Sequence, residues 1–136
     1  MTDFVDTDVL IRIITGDDRA KQEAGLALFD RAIAGEIVLN APDTVIADAV
    51  YVLASPRLYG MPRDEVYERL STFVRIPNFR VDNRRLVLSA LAIFGGSNVD
   101  FGDAMIAAFA QETDSSRVYS HDRDFDRFAW LSRVEP

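Results

Sequence analysis

The chain has no cysteine in its 136 residues, and only one lysine (Lys21), one histidine (His121) and one tryptophan (Trp130). Without thiols it can form neither a disulfide nor a thiolate metal centre, and a cytoplasmic location is expected. No apolar run approaches the ~20 residues of a membrane span, so no membrane association is expected. The opening Met1-Thr2-Asp3 is acidic and lacks the basic and long apolar regions of a signal peptide. Positive charge is also in deficit. Fifteen Lys and Arg against 22 Asp and Glu give a net charge of −7, which argues against a broad basic platform for nucleic acid. All the basic residues but Lys21 are arginine. Arginine is the better bidentate phosphate ligand, but GC-rich coding produces the same bias.

Apolar residues are plentiful, at 49% of the chain, and mean hydropathy is close to zero. That composition is globular, and the length suits one domain spanning residues 1–136 with a real core. No repeat, low-complexity tract or linker interrupts it.

Phe4-Val5-Asp6 reads as a short buried strand delivering a carboxylate at its tip. A helix follows at once, with Thr7 as its cap. Gly16-Asp17-Asp18 breaks that helix, and Asp17 or Asp18 caps the next, which runs to about Ala34 with Gly35 closing it. Its apolar stripe is Ala24, Leu28, Phe29, Ala32 and Ile33. Ile37-Val38-Leu39 predicts a second strand. A third helix, Asp43 to Ala54, carries Val45, Ile46, Ala49, Val50, Val52 and Leu53 on one broad face. Asp48 falls just outside that face, about 40° from Val52 at helical spacing.

Pro62-Arg63-Asp64-Glu65 opens a fourth helix, with Val66, Leu70, Phe73 and Val74 inward. Phe79-Arg80-Val81 predicts a third strand. Asp82 or Asn83 caps a fifth helix through Leu86, Leu88, Leu91 and Phe94, stopped by Gly95-Gly96. Asp100 caps a sixth, in which Met105, Ile106, Ala108 and Phe109 pack inward. Val118-Tyr119-Ser120 predicts a fourth strand, then a turn and short helix from His121 to Phe128, with Trp130-Leu131 as a final edge strand. Alternating strands and helices imply an α/β chain: a three-layer α/β/α sandwich around a short parallel sheet of four to five strands. In such a sheet the strand C-termini form the ligand crevice. The tips of strands one and four are expected to be neighbours there.

Four acidic spots can be argued onto that crevice, and each has a plainer reading. Asp6 is either a site residue or a helix cap. Asp48 is either a site residue or an ordinary exposed position. Asp100 and Asp103, one turn apart at a helix start, suit capping and the helix dipole as well as chemistry. Asp122, Asp124 and Asp126 follow a strand and also suit a solvated acidic loop. His121, alone in that loop, is more readily a surface residue than a base. Clustered carboxylates repel and raise one another's pKa values unless something neutralises them. An all-oxygen cluster suits a hard cation, Mg²⁺ or Mn²⁺, which can activate water and clamp a leaving phosphodiester oxygen.

The stretches VDTDVLIR, TVIADAVYVL, DFGDAMIAAFA and VYSHDRDFDRF, in that order, resemble the PIN domain, and specifically the VapC-type toxin ribonucleases of type II toxin–antitoxin pairs. The resemblance spans essentially the whole chain. It implies a PIN-like sandwich, one or two Mg²⁺ or Mn²⁺ ions, endoribonuclease activity on RNA such as tRNA or rRNA, a homodimer and a VapB-type antitoxin. Carried over residue by residue, Asp6, Asp48, Asp103 and Asp122 match the catalytic, metal-holding acids. Asp48 stands where the family usually has the longer Glu. Ser120 matches the usual Thr or Ser, Asp100 and Asp124 are auxiliary acids, Thr7 follows the first acid, and Asp8 replaces the more usual Asn or Ser.

Two other phosphate-chemistry classes fit less well. A haloacid-dehalogenase-type phosphatase shares an Asp-x-Asp after strand one, but Leu10 stands where that motif prefers Thr or Val. That class and a receiver domain both need a lysine in the later half of the chain, which has none. The alternative from another class is a catalytically inactive PIN-like module that only binds RNA or protein.

Overall fold

The first extended segment is short because Asp6 ends it by capping a helix. In the computed structural model, which describes residues 1–136, β1 is Asp3–Phe4 and α1 is Thr7–Thr15. Asp6, not Thr7, is the N-cap of α1, and its carboxylate accepts from the Thr7 amide at 2.7 Å. Thr7 lies inside the helix, and its hydroxyl donates to the Val45 carbonyl at 3.2 Å. Only Val5 of the opening apolar pair is buried; Phe4 is exposed.

The chain continues through α2 (Arg19–Ile33), β2 (Leu39–Ala41), α3 (Asp43–Ala54), α4 (Arg63–Val74) and β3 (Phe79–Val81). It ends with α5 (Arg84–Gly96), α6 (Phe101–Gln111), β4 (Arg117–Tyr119), a 3₁₀ turn (Arg123–Arg127) and β5 (Ser132–Val134). Asp18 caps α2 by accepting from the Lys21 amide. Asn83 precedes α5 in the left-handed region, and its side chain donates to Asp43 rather than to its own helix.

The five strands do not form the single sheet of four to five strands expected from the alternation. β1, β2 and β3 make a three-stranded parallel sheet in that order, and β4 and β5 make a separate parallel pair. No ladder joins β1 to β4. At two or three residues per strand, each ladder carries few hydrogen bonds. β2 lies two residues later than Ile37-Val38-Leu39, and β5 follows Trp130-Leu131 instead of containing it. Six helices and all-parallel pairing nevertheless give a mixed α/β fold.

One cluster of buried side chains forms the core. Leu10, Ile46, Leu53, Leu70, Phe79 and Leu91 have no exposed surface. The apolar faces are narrower than the spacing suggested. Ile33, Ile106 and Phe109 are exposed, and Ala104, Ala107 and Ala108 form the buried face of α6. Gly95-Gly96 does not stop α5, which runs through both to a cap at Ser97. A Cβ on Gly95 would meet the Tyr67 Cβ at 2.8 Å, so this glycine permits the close approach of α4 and α5.

Candidate active site

The N-terminus of α6 is the organising feature of the site. Asp100 caps it, its Oδ1 accepting from the Asp103 amide at 2.8 Å. Asp103 therefore stands in the first helical turn, half-buried, where the helix dipole favours negative charge. After β4, the Ser120 hydroxyl accepts from the Asp122 amide at 3.0 Å, and Asp122 Oδ1 accepts from the Asp124 amide at 2.8 Å. These two bonds fold the chain tightly, with Asp122 capping the 3₁₀ turn.

Asp103, Asp122 and Asp124 each present a carboxylate oxygen, and the three oxygens lie within 4.8 Å of one another. Burial pushes the Asp103 carboxyl up to about 6, and the charges of Asp100, Asp122 and Asp124 push the same way. The α6 dipole, which opposes that shift, is outweighed. One cation stands close by, Arg127, whose Nη2 is 3.2 Å from Asp124 Oδ1. His121 is exposed and takes no part in the cluster.

Asp6 and Asp48 lie outside this three-oxygen group. Both are exposed, and they line a concavity of about 550 Å³ together with Thr7, Asp8, Arg12 and Tyr51. Arg12 does not neutralise them. Its Nη1 bonds Asp17 at 2.7 Å, and the Tyr59 hydroxyl donates to the same Asp17 oxygen. Those two donors, Tyr59 foremost, hold the Asp17 carboxyl down at about 2. The acids singled out in the sequence thus fall into two sets. One is Asp100, Asp103, Asp122 and Asp124; the other is Asp6 and Asp48 with Asp8.

The two sets are not remote. A second concavity, of about 650 Å³, has Asp100 in its wall, and Tyr51 on α3 borders both hollows. Sequence reasoning did not give Tyr51, Arg63 or Arg127 a place at the site. For Arg127 a signal existed, since it stands three residues after Asp124 in a short helix. For Tyr51 and Arg63 there was none, because only the packing of α3 against α4 and α5 brings them to the hollow.

An acid cluster of this kind has a family parallel. The chain matches the PIN domain family over residues 4–131. It belongs to that family. PIN domains are generally nucleases; PIN nucleases bind RNA and use divalent metals. Comparison with curated proteins gives no significant match.

The residues present fit a divalent ion of the hard class. Every donor in the cluster is a carboxylate oxygen, with no nitrogen or sulfur ligand among them. Burial first, and then the charges of Asp100, Asp122 and Asp124, raise the Asp103 carboxyl, and a cation held among these oxygens would offset the repulsion between them. No helix is long and apolar enough to cross a membrane.

Proposed function

We propose that this PIN domain is a metal-dependent endoribonuclease, the toxin of a VapBC-type toxin–antitoxin pair. The observation that carries the reading is the grouping of Asp103, at the start of α6, with Asp122 and Asp124, after β4, in a chain of this family. Asp103 and Asp122, with Asp124 beside them, are the residues that would hold Mg²⁺ or Mn²⁺. Asp6 and Asp48, across Tyr51, are the remaining acids of the site. A bound divalent ion would supply Lewis acidity to a phosphodiester and an activated water.

The chain's own residues do the positioning. Asp100 fixes the first turn of α6, and with it the direction of Asp103. Ser120 fixes the Asp122 backbone, so its role is to shape the turn. Thr7 ties the start of α1 to α3, holding Asp6 and Asp48 in one hollow. Arg127 partly balances Asp124.

The toxin assignment adds a VapB-type antitoxin, a homodimer and a cytoplasmic setting. Exposed apolar side chains support a protein partner: Tyr51, Leu58 and Tyr59 around the two hollows, and Ile106 and Phe109 on α6. Ile11 and Ile14, by contrast, are core residues, and Leu28 and Tyr67 are partly buried. The test is brief expression followed by sequencing of RNA ends, with and without co-expression of a small overlapping upstream reading frame. Discrete new RNA ends that the upstream product suppresses, by forming a stable complex, are the expected result. Intact RNA after expression of the wild-type protein would leave the inactive RNA- or protein-binding module as the correct reading.

A further inference from the structure

The turn that carries Asp122 and Asp124 is anchored unevenly. Its second half is held from inside, because the rings of Phe125 and Phe128 are buried. Its first half has no such anchor. His121, Asp122 and Arg123 are all exposed, and Ser120 is only half-buried. Asp122 and Asp124 also push against Asp103 across the site, which works to spread the turn away from α6.

Arg133, on β5, is placed to oppose that. It lies opposite Val118 in the β4–β5 ladder, and its side chain is only 12% exposed. Its Nη1 donates to the Ser120 carbonyl at 3.2 Å, at the entry to the turn. Its Nε and Nη2 donate to the two oxygens of Asp126, at 2.9 and 3.4 Å, near the exit. One guanidinium thus spans the turn from end to end. Nη1 also donates to Glu135 at 3.0 Å, so two carboxylates already match the single charge. Arg133 is therefore not free to meet a phosphate, and it bonds none of the three clustered carboxylates. Those contacts fit a brace rather than a residue that binds RNA.

We propose that Arg133 is a positioning residue: by tying Ser120 to Asp126, it holds Asp122 and Asp124 toward Asp103 at the spacing a divalent ion needs. The proposal rests on the metal-dependent reading above and adds a residue that orients the site from outside it. The fork of the guanidinium is what the role requires. A lysine ammonium cannot engage both Asp126 oxygens and the Ser120 carbonyl in that geometry.

Charge and geometry predict opposite signs. If only the charge of Arg133 mattered, removing a cation near an acidic cluster should tighten the binding of a metal ion. Removing a brace should weaken it. The measurement is Mn²⁺ binding to the full-length protein at neutral pH, read from the electron paramagnetic resonance signal of free Mn²⁺, with the folding of each variant checked by circular dichroism. Arg133→Met should raise the Kd about tenfold, the lower end of the cost of losing residues that orient metal ligands. Arg133→Lys, which keeps the charge and serves if the methionine variant does not fold, should also raise it, by less. Arg84→Met is the control, because Arg84 clamps the Ile76 and Phe79 carbonyls around the start of β3. It removes the same charge and a comparable clamp, and it should not weaken Mn²⁺ binding. Arg133 variants that bind Mn²⁺ as well as wild type, or more tightly, would overturn the proposal. So would an equal weakening in Arg84→Met, which would trace the effect to lost stability. Asp122→Asn, measured in parallel, separates the two failures. If that variant loses Mn²⁺ while the Arg133 variants keep it, only the brace is wrong; if wild type binds no Mn²⁺, the metal-dependent reading itself falls.

Discussion

Replacing Asp103 by asparagine should stabilise the metal-free protein at neutral pH while removing the function. The carboxyl of Asp103 titrates at about 6 in the folded chain, against 3.8 for an unperturbed Asp. A raised acid pKa means that the folded state binds the proton more tightly than the unfolded state. Stability is therefore highest at low pH, falls as pH rises from about 4 to about 6, and stays at the lower level above that. A rise from 3.8 to about 6 corresponds to at most about 3 kcal/mol. Asp103 is only half-buried and its neighbours face water, so screening reduces this to about 1 kcal/mol. Asparagine keeps the shape and sheds the charge. In EDTA at pH 7, urea unfolding of Asp103→Asn should give a midpoint above wild type by the equivalent of about 1 kcal/mol; near pH 4 the two curves should converge. A variant that is less stable than wild type at pH 7, or equally more stable at both pH values, would refute the electrostatic argument.

Other substitutions probe separate parts of the molecule. Asp100→Ala should lose about 1 kcal/mol, the usual cost of an N-cap, measured by thermal melting, and should keep measurable cleavage. Asparagine at the same position, which caps nearly as well, should melt close to wild type. Millimolar Mg²⁺ or Mn²⁺ should raise the melting temperature of wild type at neutral pH, because the ion binds only the folded state, and should raise that of Asp103→Asn far less. Gly95→Ala should destabilise by about 1–3 kcal/mol, since the new methyl group meets Tyr67 and α4 must move away from α5.

What the sequence reveals here is local. The bounds of α3 at Asp43 and Ala54 follow from helical spacing, and the strand Phe79–Val81 from its apolar ends; cap chemistry gives Asp100 for α6 and narrows the α2 cap to Asp17 or Asp18, of which Asp18 is the one used. Gly95 misleads because low helix propensity reads as a stop, whereas the packing of α4 on α5 overrides it. Ile106 and Phe109 mislead because periodicity locates the middle of an apolar stripe better than its edges, and three alanines already fill the contact. The division of the strands into three and two has no local signal, since each is only two or three residues long. The acids show the same limit. From sequence, Asp103 and Asp122 are expected together, but with Asp6 and Asp48 rather than Asp124 as their closest companions; that Asp6 and Asp48 line a neighbouring hollow depends on where α1 and α3 sit.

In the proposed function, the acids at the start of α6 and after β4 hold a divalent ion that RNA hydrolysis requires. The most direct measurement is cleavage of RNA by purified wild-type protein and by Asp122→Asn, across a titration of Mn²⁺ with an EDTA control. Asp122 is exposed and its side chain fills no core space, so its loss should leave the circular dichroism spectrum unchanged. Cleavage that rises with Mn²⁺, vanishes in EDTA and is lost in Asp122→Asn is the expected result. Cleavage that persists in EDTA, or that Asp122→Asn retains in full, would contradict it.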